Sequence, residues 1–264
     1  IYLLDMGIRG AAFATILSQM MALTWQMKLF SDKDELLHLR RGIYRINAAI
    51  VRNIIAIGMS PFLMNVCACV VVIFINKGLL MYGGDLAVGA YGIANRVAFV
   101  FVMIVMGINQ GMQPIAGYNY GARQTERLMR VLKLSMMAAT VITTSGFLVA
   151  EFVPELCVSL FTSDPELTGM AARGMRIIMC TFPIIGFQMV ATNFFQSIGK
   201  AGVSIFLSLS RQMLFLLPML IVLPLRFGID GVWASMPVAD TISSLVTLGI
   251  MLRYTRRMSD LKNQ

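Results

Sequence analysis

The feature that most constrains this chain is a series of long uncharged stretches, separated by short turns whose charge alternates in sign. Uncharged windows cover 10–27, 53–76, 97–122, 134–150, 177–199 and 212–225, and a last one, 231–252, is broken only by Asp240. A helix needs about 20 apolar residues to cross a bilayer. The windows meet or approach that length, and 212–225 reaches it by extending back past Arg211 to Ala201. The expected fold is all-α: a polytopic membrane protein with about seven transmembrane helices.

Composition removes the alternatives. Hydrophobic residues make up 58% of the chain and charged residues 13%, against about 25% charged in soluble domains. So few charges cannot cover a water-facing surface, and a lipid bilayer must be part of the solvent. A transmembrane β-barrel needs alternating strands of roughly 10 residues, whereas these windows are continuously apolar. The net charge of +9 comes without a basic, aromatic-interleaved module of the kind that binds nucleic acid, so no nucleic-acid partner is expected. Cys67, Cys69, Cys157 and Cys180 have no metal-ligand spacing and read as small hydrophobes. His38, the one histidine, lies among basic residues. No metal or cofactor is expected. No signal peptide is visible, and the chain opens at Ile1 in apolar sequence that has already begun. It is expected to be a fragment lacking its N-terminal part.

The turns set the expected orientation, because Lys and Arg concentrate on the cytoplasmic side. Basic turns follow the first, third, fifth and seventh helices: Lys28 to Arg52, Arg123 to Lys133, Lys200, and Arg253 to Lys262. Acidic turns follow the second, fourth and sixth: Asp85, then Glu151, Glu155, Asp164 and Glu166, then Asp230. The expectation is a multi-pass protein of the cell (inner or plasma) membrane with a cytoplasmic C-terminus. Within 31–52, Leu36, Leu39, Ile43, Ile46 and Ile50 recur at helical spacing with arginines between them. That pattern reads as a basic amphipathic helix along the inner surface. It would link two halves of the protein, anchor to anionic lipid, or do both.

An internal echo supports two halves. Gly7-Ile8-Arg9-Gly10 opens the first helix and Gly228-Ile229-Asp230-Gly231 opens the last, 221 residues later (228 − 7). Six helices separate the two positions, as expected of transporters built from tandem six-helix lobes. The expected organisation is therefore 1–30, last helix of an N-lobe; 31–52, cytoplasmic inter-lobe linker; 53–252, a six-helix C-lobe; 253–264, a cytoplasmic tail.

The third window ends Gly107-Ile108-Asn109-Gln110-Gly111-Met112-Gln113-Pro114-Ile115-Ala116-Gly117-Tyr118-Asn119-Tyr120-Gly121-Ala122. This stretch resembles the signature of the multidrug and toxic compound extrusion (MATE) family, in its bacterial multidrug-efflux branch. Similar pieces are Gly10-Ala11-Ala12-Phe13-Ala14-Thr15, Phe195-Gln196-Ser197-Ile198-Gly199-Lys200, and Arg211-Gln212 followed by Pro218. The resemblance implies a twelve-helix secondary transporter that exports drugs and organic cations in exchange for H⁺ or Na⁺. It makes this chain helices 6 to 12. Some members place a coupling Glu in the second helix here. This chain has none between Asn53 and Asn76.

Asp240 lies ten residues beyond Asp230, roughly 15 Å deeper at the rise of an α-helix. A carboxylate in mid-bilayer is a functional candidate by default. Its role is either ion coupling or a structural ion pair, with Arg96 at similar depth as a possible partner. Gln110 and Gln113 share a helix face and either glue helices together or line a cavity. Asn65, Asn95, Asn193, Gln196 and Tyr91 are the other candidates for a substrate cavity. Pro61, Pro114 and Pro183 are candidate kink or gating positions, while Gly107, Gly111 and Gly117 are expected to allow close helix approach.

The functional expectation is a secondary active antiporter for multidrug or organic-cation efflux, driven by H⁺ or Na⁺. Its partners would be small organic, cationic substrates, the bilayer, and the missing N-lobe, without which the chain should not transport. The alternative is a flippase or exporter of lipid-linked intermediates on a related fold. A basic central cavity would favour that, and the scarcity of intramembrane Lys and Arg counts against it. An enzyme would need clustered Asp, His or Ser at catalytic spacing, which the sequence lacks.

Overall fold

The structure, a computed structural model, describes residues 7–31 and 47–262. It divides into two compact units, Ile1–Gly58 and Met59–Gln264. The amphipathic linker expected over 31–52 falls largely outside the described residues, and its last part is already helical from Ala48. In the first unit, α1 (Gly7–Ser31) is a helix of 25 residues, about 37 Å long, which is sufficient for a hydrocarbon core of about 30 Å. Phe13, Leu17, Met21 and Trp25 are exposed on it.

The second unit is a bundle of long helices. α2 (Ala48–Gly121) runs for 74 residues and is broken at Gly84, whose φ of 65° and ψ of −165° belong to a region open essentially to glycine. Unbroken, it would be about 110 Å long, several times the thickness of a bilayer. Val71, Ile75 and Leu79 before the break share one buried cluster with Ala87, Ala90 and Ala94 after it. The break is therefore a reversal that makes two spans. α3 (Thr125–Phe152) is a single span, followed by the short α4 (Pro154–Ser159). α5 (Pro165–Met179) starts at a cap in which the Asp164 side chain accepts from the Glu166 amide, with Pro165 in the first turn, where its missing N–H is no loss. α5 and α6 (Phe182–Ser197) form one span bent by 52°.

The end of α6 shows how local chemistry sets a boundary. Gly199 has φ of 77°, its amide donates to the Gln196 carbonyl at 3.1 Å, and the Lys200 amide donates to that of Phe195 at 2.9 Å. This paired pattern closes a helix on a left-handed glycine. It turns the chain into α7 (Ala201–Leu209), a π-helical segment Ser210–Leu216, and α8 (Leu217–Lys262). α8 reverses at Gly228, with φ of 56° and ψ of −130°. A Cβ on Gly231 would come within 2.5 Å of the Leu223 carbonyl oxygen, so the two arms of α8 pack backbone to backbone. With each reversal counted as two spans, the second unit has six and α1 supplies a seventh. Val141, Leu160, Leu225 and Leu245, among others, are exposed, as lipid-facing positions must be when hydrocarbon replaces water.

Interior contacts are built on small residues. A Cβ on Gly186 of α6 would meet the Thr143 hydroxyl at 2.5 Å and the Ala139 carbonyl oxygen at 2.8 Å, both on α3. One on Gly174 of α5 would meet the Trp233 ring at 2.5 Å. Among the signature glycines only Gly117 has such a neighbour, the Ser197 carbonyl oxygen at 3.3 Å, whereas Gly107 and Gly111 border open space. The expectation that all three allow close helix approach is thus corrected to one of them.

Candidate functional site

The site is organised by the π-helical segment. Pro218, four residues beyond Leu214, has no amide to give the Leu214 carbonyl, and its ring crowds that oxygen. The turn just upstream is widened into the π form, a distortion often found at functional positions. The widened turn carries Arg211 and Gln212. Arg211 Nε donates to Asp240 Oδ1 on the second arm of α8 at 2.6 Å. The Asp240 side chain is 8% exposed and that of Arg211 36%. A buried carboxylate must be paired or neutralised, and Arg211 provides the pairing. Arg96, the partner suggested by depth, is exposed on the second arm of α2, and the partner in the structure is Arg211. Helices at equal depth meet only if they also face each other, and these two side chains do not.

Two cavities meet at Arg211. One, of about 240 Å³, is lined by Asn109, Gln110, Asn193, Gln196, Arg211 and Gln212, with Met106, Met189 and Leu207 as apolar wall. The other, of about 280 Å³, is lined by Tyr91, Asn95, Phe182, Arg211, Gln212 and Asp240. Met189, Arg211 and Gln212 belong to both walls. In the wall of the first cavity, Gln188 Nε2 donates to Ser243 Oγ at 2.5 Å, and Ser244 Oγ donates to Gln188 Oε1 at 3.3 Å. This tie between α6 and α8 is buried. Two cavity-wall acceptors, Asn109 Oδ1 and Gln212 Oε1, are buried with no hydrogen-bond partner.

The structure brings Gln110, Asn193 and Gln196 to one cavity and Tyr91, Asn95 and Asp240 to the other. It leaves Gln113 and Asn65 exposed and outside both walls. Pro61 and Pro114 sit inside α2, where the non-helical residue is Gly84. Pro183 stands in the first turn of α6, at the bend from α5. Among the described residues no three His, Cys, Asp or Glu side chains converge as a metal site would require. Sequence reasoning missed Arg211, Gln212 and Asn109 as site residues. The signal was present: Arg211 and Gln212 precede a proline, and Asn109 opens the polar run of the signature.

Residues 56–222 match the family model described as MatE. The chain is 27% identical over 259 residues to the multidrug export protein MepA of Staphylococcus haemolyticus, covering 98% of this chain and 57% of that protein. It is 25% identical to MepA of Staphylococcus aureus over 256 residues, covering 97% and 56%. The structure of the MATE multidrug transporter DinF-BH superposes with a TM-score of 0.80 at 35% identity, over 95% of this chain and 56% of that one. An outward-facing multidrug resistance MATE transporter matches with a TM-score of 0.81 at 22% identity, over 100% and 59%, which bears on the fold. The chain spans a little over half the length of the relatives it matches. With the six spans of the second unit, the signature at 107–122 and the family match together, this chain belongs to the MatE family of multi-pass membrane transporters.

Proposed function

We propose that this chain forms the C-terminal part of a multidrug efflux transporter that exports small organic solutes in exchange for H⁺ or Na⁺. The observation that carries this is the pair of cavities converging on Arg211, which is paired with Asp240 in the wall of the second, inside a MatE-family lobe. The relatives described as multidrug export proteins support it. Polar groups at this depth are expensive and mark a substrate or ion path. Asp240 is the coupling candidate. A proton or Na⁺ taken up by its carboxylate releases the Arg211 guanidinium, and losing the ion restores the pair. Ion occupancy would thereby be linked to the charge that the cavities present. The flippase reading gains nothing from the cavities, because Arg211 is the one cationic side chain on their walls and Asp240 compensates it.

In proteoliposomes the chain alone is expected to give no gradient-driven efflux, and the chain joined to an N-terminal lobe is expected to give it. In the joined protein, Asp240→Asn should abolish H⁺- or Na⁺-driven efflux while substrate still binds. Full efflux in that variant would remove Asp240 from coupling. For the orientation, single cysteines at Ser31 and Ser163 in a background without native cysteines should react with an impermeant thiol reagent from opposite sides. Reaction of both from the same side would refute this topology.

A further inference from the structure

We propose that Arg211 docks the carboxylate of zwitterionic organic solutes, and that the Asn109 and Gln212 carboxamides take the same solute's N–H donors. The proposal rests on reading the paired cavities as part of the substrate path, and it names a substrate class for that path. The charge pair is asymmetric: the Asp240 carboxylate is nearly enclosed, whereas over a third of the Arg211 side chain is accessible. The first cavity therefore faces the positive end of the pair alone, whereas both members border the second. The hydrogen bond to Asp240 uses Nε alone. The two terminal nitrogens, part of a planar fork that matches a carboxylate, make no other hydrogen bond among the described residues.

The rest of the wall sharpens the class. Among the described residues no carboxylate lines the cavity shared by Asn109, Gln110 and Arg211, so this wall offers a permanent cation no counter-charge. That cavity does hold the two unpartnered buried oxygens, Asn109 Oδ1 and Gln212 Oε1. A buried acceptor without a donor is unfavourable, and an N–H of a bound solute would relieve it. Gln188 is not available for this, since Ser243 and Ser244 occupy its carboxamide. Met106 and Met189 offer a soft apolar surface for the body of the molecule. A solute with a carboxylate, N–H donors and an apolar core fits all three, and the cationic character expected from the sequence is refined to a zwitterionic one.

Binding of an amino-substituted rhodamine, as its free acid and as its methyl ester, to the purified chain in lipid nanodiscs tests this without requiring transport. Wild type should bind the acid at least about tenfold tighter than the ester, the size of one charge-assisted contact. The double variant Arg211→Gln with Asp240→Asn removes both charges together and should erase the preference for the acid over the ester. Arg211→Lys keeps the charge without the fork and should reduce the preference. An N-alkylated ester without N–H groups should bind more weakly than its parent in wild type but equally in the double variant Asn109→Leu with Gln212→Leu. Equal binding of acid and ester by wild type, or an undiminished preference in the double variant, would overturn the proposal. If the double variant does not fold, an undiminished preference in Arg211→Lys overturns it instead. A preserved preference without coupled efflux would sink the proposed function and leave this docking role standing.

Discussion

Two contacts within the second unit are built on opposite principles. Where α3 meets α6, Gly186 lies against the Ala139 carbonyl oxygen and the Thr143 hydroxyl, and Thr143 satisfies its own hydroxyl on Ala139 at 2.9 Å. Nothing there is left over for a ligand. Where the π-helical segment faces α2 and α6, long polar side chains line two cavities, the second of which reaches Asp240 of α8. In hydrocarbon, helices gain little from apolar burial against each other, so association rests on close backbone approach or on polar ties. The first contact uses close approach and is rigid. The second uses polar ties, which can be exchanged for those of a solute.

The comparison can be broken at four points, measured by thermal unfolding in detergent. Gly186→Leu should have the largest effect, at about 3 kcal/mol or more, because the clash is with backbone that cannot move aside. Little loss would show that α3 and α6 separate freely. Arg211→Gln leaves the Asp240 carboxylate buried and unpaired. Removing one partner of a fully buried pair costs about 3–5 kcal/mol, and the exposure of Arg211 puts the expected loss nearer 2–3 kcal/mol. Adding Asp240→Asn should restore most of it, and no recovery would mean that the pair is not the unit being broken. Gln188→Leu should lose about 1 kcal/mol, the scale of a hydrogen-bonded tie between membrane helices. The smallest change has the opposite sign: Gly111→Ala enters open space within a helix and should gain roughly 0.5–1 kcal/mol. A loss there would show that Gly111 is covered by something after all.

Much of the fold was legible because bilayer thickness imposes a length that a sequence must display. The uncharged windows at 53–76, 97–122 and 134–150 became the arms of α2 and the body of α3. Position along a helix axis is likewise readable, which is why Asp240 stood out as deep. Direction around the axis is not. Depth pointed to Arg96 as the partner of Asp240, and what brings Arg211 there instead is the π-helical turn at Ser210–Leu216 that carries it. The reversals at Gly84 and Gly228 were legible only through the acidic residues beside them, Asp85 and Asp230, since nothing in composition marks these two glycines among the 22 present. The candidate cavity residues divided along the same line. Gln110 and Gln113 share a helix face only roughly, and Gln110 alone reaches a cavity.

The reversals at Gly84 and Gly228 also limit how the lobe can move. Each joins two spans through a single non-helical residue, and one residue reaches less than about 4 Å. Such a link has no slack, so neither arm can slide past its neighbour along the membrane normal. Motion is confined to splaying about the turn, like a pair of tongs hinged at one end. The span formed by α5 and α6 is different, because its bend at Pro183 lies within the bilayer-crossing length itself. With α6 held against α3 at Gly186, a change of angle at this bend is carried by α5, and the hinged pairs are the frame against which it works.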